Sequence, residues 1–132
     1  MKRILLLFVL TFSAITAIAQ SNDEKAIRQI LKEQTLAWNN GDIEQFMKGY
    51  WQNDSLAFIG KSGLKYGWKS TLENYKKGYP DTATMGNLYF ELLQVKHLSP
   101  VYYFVIGKWH LSRTIGDAEG HFSLLFKKIE GK

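Results

Sequence analysis

Asp54, His110 and His121 are the side chains whose types and placement could carry proton transfer. Asp54 stands just before a strand-like run at residues 55–60. A carboxylate there can serve as a base or polar anchor at a pocket mouth, or it can accept backbone hydrogens as a turn residue. His110 and His121 flank a polar turn through Gly116-Asp117, so a hairpin would bring the two imidazoles toward each other. One of them could then carry a proton or form part of a polar rim. With His97 they lie at long, irregular separations, without a cysteine or a helical histidine pair, so no metal site is expected. The glycines at 60, 63 and 67 do not form a phosphate loop, no serine or threonine has the setting of a nucleophile elbow, and no motif calls for a cofactor.

The elements that must position these groups begin with Ile27, Ile30, Leu31, Gln34 and Trp38, which recur at the three-and-four spacing of one helix face. Ser21 with Glu24 makes a capping box at its start. Gly41 is the residue type that ends a helix in the left-handed conformation, and Asp42 with Gln45 can cap the next one at once. Ile43, Phe46, Met47 and Tyr50 form the apolar face of that second helix. Residues 55–60 then change to strand-like patterning, and Gly63 and Gly67 lead into a third helix carrying Trp68, Leu72 and Tyr75, stopped near Gly78-Tyr79-Pro80. Residues 88–98, 101–114 and 121–129 read as strands, with no further helical signal between them.

Helix, tight Gly-Asp corner, helix, acidic turn, strand, third helix and a late hairpin from Gly107-Lys108-Trp109-His110-Leu111 to Glu119-Gly120-His121-Phe122-Ser123 resemble the nuclear transport factor 2-like superfamily. Within it the pattern is most similar to the SnoaL-like and domain-of-unknown-function 4440 proteins, relatives of ketosteroid isomerase. The resemblance spans about residues 23–130 and implies an α+β fold: a cone-shaped α+β barrel of three N-terminal helices on a curved, mainly antiparallel sheet, enclosing an apolar pocket. It also implies one further strand after Glu130-Gly131-Lys132, which this sequence lacks.

Ketosteroid isomerase pairs an aspartate base with tyrosine and aspartic acid donors. By distance from the Gly-Asp corner, the base position falls on Ile59 and the tyrosine position on Gln34, while the late strand Phe122-Ser123-Leu124-Leu125-Phe126 holds no carboxylate. Isomerase chemistry of that type is therefore not expected. Gln34, on the buried stripe, can bond a ligand or the backbone. Gln34, Trp38, Tyr50, Phe58, Tyr75, Trp109 and Phe122 are the candidate pocket wall, with plain core packing as the alternative for the aromatic members.

Residues 1–19 read as a signal peptide: a basic start at Lys2-Arg3, an apolar run at 4–18, and Ala17-Ile18-Ala19 before Gln20. The run falls short of the ~20 residues of a spanning helix, so no stable membrane anchor is expected after cleavage, and the remaining residues 20–132 read as one periplasmic or secreted domain. Without cysteine this domain holds together by its core. Subtracting Lys2 and Arg3 from 17 basic residues leaves 15 against 12 acidic ones, a balance of +3 spread over several elements, which excludes a nucleic-acid stripe.

In the strand around residue 106, Tyr103, Val105, Gly107, Trp109 and Leu111 fall on one face, and Tyr102, Phe104, Ile106, Lys108 and His110 on the other. Both are largely apolar, so one covers the helices and the other suits a homodimer interface. Three function classes follow: a protein binding a small, largely apolar molecule; an enzyme of isomerase, dehydratase, cyclase or hydrolase type; and a dimeric protein-interaction module.

Overall fold

The computed structural model describes residues 22–132. The signal-peptide reading and the Ser21 half of the capping box lie outside these residues. Helix α1 covers residues 22–39 and buries Ile27, Leu31, Gln34, Ala37 and Trp38, the face expected from the spacing. It stops where Gly41 takes φ +76°. The Gly41 N–H donates to Trp38 O at 2.8 Å and the Asp42 N–H to Ala37 O at 2.9 Å, which satisfies carbonyls that the helix end would otherwise strand. Asp42 Oδ1 accepts from Gln45 N at 2.9 Å and starts α2 (Ile43–Met47) immediately. The second helix is shorter than its apolar spacing suggests, and Tyr50 lies in the turns beyond it. Gly49, in the turn after α2, packs under Gln34: a Cβ there would sit 2.5 Å from Gln34 Nε2, so a larger residue would have to displace that side chain.

Residues 55–66 depart from the expected single strand. Strand β1 (Ala57–Gly60) turns back through Lys61-Ser62 into β2 (Gly63–Tyr66), pairing Ile59 with Leu64 and Gly60 with Gly63. The two glycines bracket a two-residue hairpin turn, with Gly63 at φ +94°. Helix α3 (Trp68–Gly78) follows, and its Trp68 indole N–H donates to Met47 O at 2.8 Å, tying it to the end of α2. A further helical turn, α4 (Thr82–Met85), lies where no helical signal was read; Asp81 and Thr84 form a reciprocal capping box at its start.

Strands β3 (Asn87–Ser99), β4 (Tyr102–Ser112) and β5 (Ala118–Lys127) make an antiparallel sheet in the order β3-β4-β5. The register of β3 slips between Leu92 and Gln94 and again between His97 and Ser99. Such bulges add local twist and bend a sheet. Among the described residues the β1–β2 ribbon and the three-stranded sheet remain separate, so the helices pack on an open sheet and no closed barrel forms.

The core has two centres. One joins Trp38, Phe46, Met47, Met85, Leu88 and Leu111; the other joins Ile27, Leu31, Tyr103 and Val105. The inner face of β4 alternates as expected, with Tyr103, Val105, Gly107 and Leu111 buried and Trp109 partly so. No helix among the described residues is long and apolar enough to cross a membrane.

Candidate functional site

The aromatic side chains converge between α1, α2, α3 and the β1–β2 hairpin. Trp38 meets Phe46 edge-on with ring centres 5.1 Å apart, and Phe46 meets Tyr75 at 5.3 Å. Phe58 extends the array, 5.7 Å from Tyr75 and 6.2 Å from Tyr50, and Tyr79 lies 4.9 Å from Trp38. Tilted and edge-to-face pairs of this kind place the positive rim of one ring against the negative face of the next. Trp38 spends its polar edge internally, since its indole N–H donates to Met85 O at 3.0 Å. Burial pushes the phenols of Tyr50 and Tyr75 above their ordinary range, and Tyr75 is raised further by the neighbouring Tyr50. Both stay neutral near pH 7 and can donate hydrogen bonds inside apolar surroundings.

The seven candidate wall residues divide accordingly. Trp38, Tyr50, Phe58 and Tyr75 belong to this array. Gln34 is buried, and its Nε2 donates to Phe46 O at 3.2 Å, so of its two readings the backbone partner is the one observed. Trp109 and Phe122 lie on the inner sheet face, each laid over the glycine opposite: Trp109 pairs with Gly120 and Phe122 with Gly107. Phe122 also meets Phe90 at 5.3 Å. The sequence reading missed Phe46, Tyr79 and Phe90 as members of the aromatic set. Phe46 and Tyr79 were visible only as a helix-face residue and a helix stop, and nothing local shows that they turn toward the same space.

The proton-transfer candidates are not brought to the array. Asp54 is exposed in the turn before β1. Its neighbour Asn53 performs the turn role expected of it, with Oδ1 accepting from Ser55 N at 2.8 Å and its carbonyl from Leu56 N and Trp68 N. His110 and His121 lie on the outer sheet face, and they do not pair directly: His110 stands opposite Glu119, and His121 opposite Lys108. The two imidazoles are diagonal neighbours on that face, two positions off direct register. His110 is held between Asp117 Oδ2, 3.1 Å from Nε2, and Glu119 Oε2, 3.2 Å from Nδ1. The Arg113 backbone N–H and His110 hold the Asp117 carboxyl below its ordinary range. Among the described residues no three His, Cys, Asp or Glu side chains converge in a metal-holding group.

A second polar cluster ties the start of α1 to the sheet. Tyr103 donates to Asp23 Oδ2 at 2.9 Å and Lys128 Nζ donates to Asp23 Oδ1 at 2.8 Å. The Lys128 bond holds the Asp23 carboxyl below its usual value, while burial and the bond to Asp23 push the Tyr103 phenol up to about 12.

No protein-family model matches this sequence, and no curated protein does. Solved structures do. A nuclear transport factor 2-like protein of unknown function from Shewanella oneidensis is 41% identical over 83% of this chain and 91% of its own, with a TM-score of 0.79. Another from Pseudomonas putida is 15% identical over 85% and 80%, TM-score 0.64. A ketosteroid isomerase-like protein from Erwinia carotovora is 17% identical over 79% and 82%, TM-score 0.57. The two distant likenesses show the shared fold, and the identity and coverage of the first show kinship: this chain belongs to the nuclear transport factor 2-like superfamily.

Proposed function

We propose that this protein is an exported binding protein for a small, largely apolar molecule, taken up against the aromatic array between the helices and the β1–β2 hairpin. The observation that carries the reading is the array itself: Trp38, Phe46, Tyr75, Phe58 and Tyr50 form a continuous chain of rings, and two neutral phenols lie within it. An apolar wall with a few fixed polar groups is the usual make-up of a small-molecule site. The hairpin that carries Phe58 is a separate two-stranded ribbon, an arrangement of marginal stability on its own, so it can yield to an entering ligand. Titrating small apolar compounds while following tryptophan fluorescence tests the proposal. Saturable quenching that weakens by about tenfold in Tyr75→Ala, a loss of ~1.4 kcal/mol, supports it; no saturable response from any compound contradicts it.

The enzyme reading draws on the isomerase-like relative, yet the residues favour binding. The buried polar side chains among the described residues are Gln34 and Thr71, with no carboxylate. Ile59, at the position of the isomerase base, is 78% exposed. A pH-rate profile with a near-neutral pKa, abolished in Asp54→Asn, would favour the enzyme instead.

A homodimer through the outer sheet face belongs to the same proposal. What supports it is apolar surface facing outward there: Tyr102, Phe104 and Ile106 are only half-buried, and Leu125, opposite Phe104, is 63% exposed. Contiguous apolar patches on a free sheet face mark interaction sites. If the face instead serves a different protein, light scattering will find the isolated chain monomeric.

A further inference from the structure

We propose that a hollow of about 240 Å3, bounded by the α1–α2 corner, α4 and the end of β4, binds the carboxylate of a small organic acid through Arg113. None of the proton-transfer candidates lines it, though His110 is linked to Arg113 through Asp117, and it touches the aromatic array only at Trp38.

Arg113 is half-buried and held from two sides. Its Nε donates to Gly116 O at 2.7 Å and its Nη1 to Thr84 O at 3.2 Å. Its stem packs so closely on Gly86 that a Cβ there would collide with Arg113 Cγ and with Ser112 O. The guanidinium is thus fixed by neutral carbonyls, and Nη2 has no hydrogen-bond partner among the described residues. No carboxylate lies within ion-pair distance of it among the described residues, although Asp117 is near enough for the Arg113 charge to help lower its carboxyl. The adjacent acid, Asp117, spends Oδ1 on the Arg113 backbone N–H at 2.9 Å and Oδ2 on His110. A positioned guanidinium with free donors is matched to a carboxylate, and little ordering cost remains when the partner arrives.

The rest of the lining selects an organic body. Asn87 and Ser112 stand opposite each other in the β3–β4 register and bring an amide and a hydroxyl, while Trp38, Ala83 and Met85 bring apolar surface. At about 240 Å3 the hollow has room for a small organic acid.

The test is an amide-resolved NMR titration of the purified protein with sodium butyrate, against sodium chloride at matched ionic strength and inorganic phosphate in a third arm. Saturable shifts at residues 82–87 and 112–114 are expected, with the dissociation constant raised at least about tenfold in Arg113→Gln. Because Arg113 also braces the β4–β5 turn, Ala83→Glu is the second variant. It places a carboxylate in the hollow from an exposed position and should compete with butyrate to a similar degree. Should Arg113→Gln fail to fold, Ala83→Glu decides. Unsaturating shifts that match chloride, saturation elsewhere, unchanged affinity in a folded variant, or phosphate binding more tightly than butyrate would each overturn the proposal.

Discussion

Adding one methyl group at Gly107 should cost far more than adding it at Gly120, although both glycines lie under an aromatic ring on the same sheet face. A Cβ on Gly107 would stand 2.5 Å from Phe122 Cζ, 2.8 Å from Phe122 Cε1 and 2.8 Å from Glu91 O. Ordinary carbon contacts lie near 3.5–4.0 Å, so about 1 Å must be found. Phe122 is backed by Phe90 at 5.3 Å, and the Glu91 carbonyl belongs to the β3 backbone paired with β4. Neither obstacle moves freely. Overpacking of this kind costs ~1–3 kcal/mol, and the loss of unfolded-chain freedom on Gly→Ala offsets ~0.4–1 kcal/mol of it. With a backbone atom among the obstacles, Gly107→Ala should therefore lose about 1–2 kcal/mol, which lowers Tm by roughly 4–8 °C for a domain of this size. At Gly120 the neighbours are Trp109 Nε1, Cε2 and Cζ2 at 2.9–3.0 Å, all on one side chain, with no backbone atom among them. The same substitution there should cost less than about 1 kcal/mol. Urea unfolding monitored by fluorescence, with calorimetry as a second probe, measures both. A Gly107→Ala protein within about 0.5 kcal/mol of the parent, or a Gly120→Ala protein that is the less stable of the two, would refute the packing argument. If Phe122 is a ligand wall, Gly107→Ala should also weaken apolar-ligand binding, because the ring must leave its place over the strand.

Three further outcomes follow from polar and surface features. The folded pKa of Tyr103 is raised to about 12, so its contribution is fully present below the unfolded value of about 10 and is lost as pH rises from there toward 12. Tyr103→Phe should lower stability by about 1–2 kcal/mol at neutral pH, where the bond to a charged acceptor is lost, and should flatten the alkaline limb of a stability-pH curve. The Asp23 carboxyl is lowered; its contribution is present above the ordinary carboxylate value and disappears as pH falls through the folded one, which acid unfolding of Asp23→Asn would show as a weaker acid dependence. Leu125→Lys, placing a charge on the proposed dimer face, should shift sedimentation from dimer to monomer without changing Tm at low concentration; an unchanged dimer would place the interface elsewhere.

The helical half was legible because its signals are local. Apolar residues three and four apart gave the buried stripe of α1, and Gly41-Asp42 gave the corner, since a left-handed stop and a side-chain cap are written in adjacent residues. The β1–β2 hairpin is not expected from the sequence because Gly60 reads as the end of a lone strand and Gly63, with Gly67, as the lead into α3, and not as the brackets of a two-residue turn. Helix α4 was missed because one turn is too short for periodicity, leaving only the Asp81 and Thr84 cap. Four of the seven candidate wall residues do share one aromatic array, as burial of large rings against a common helix stripe suggests. The histidines failed for a different reason. Pairing across a hairpin depends on register, and the β4–β5 register sets His110 against Glu119, with His121 two positions away on the same face. Arg113 carried no sequence signal at all, because its held guanidinium depends on carbonyls at Thr84 and Gly116 that only the fold brings to it.

The most direct test of the central claim is native mass spectrometry of the protein purified from cells that express this sequence. The account predicts a dimer that carries a small apolar organic adduct, lost in Tyr75→Ala. A ligand-free monomer that also takes up no apolar compound on titration would contradict it.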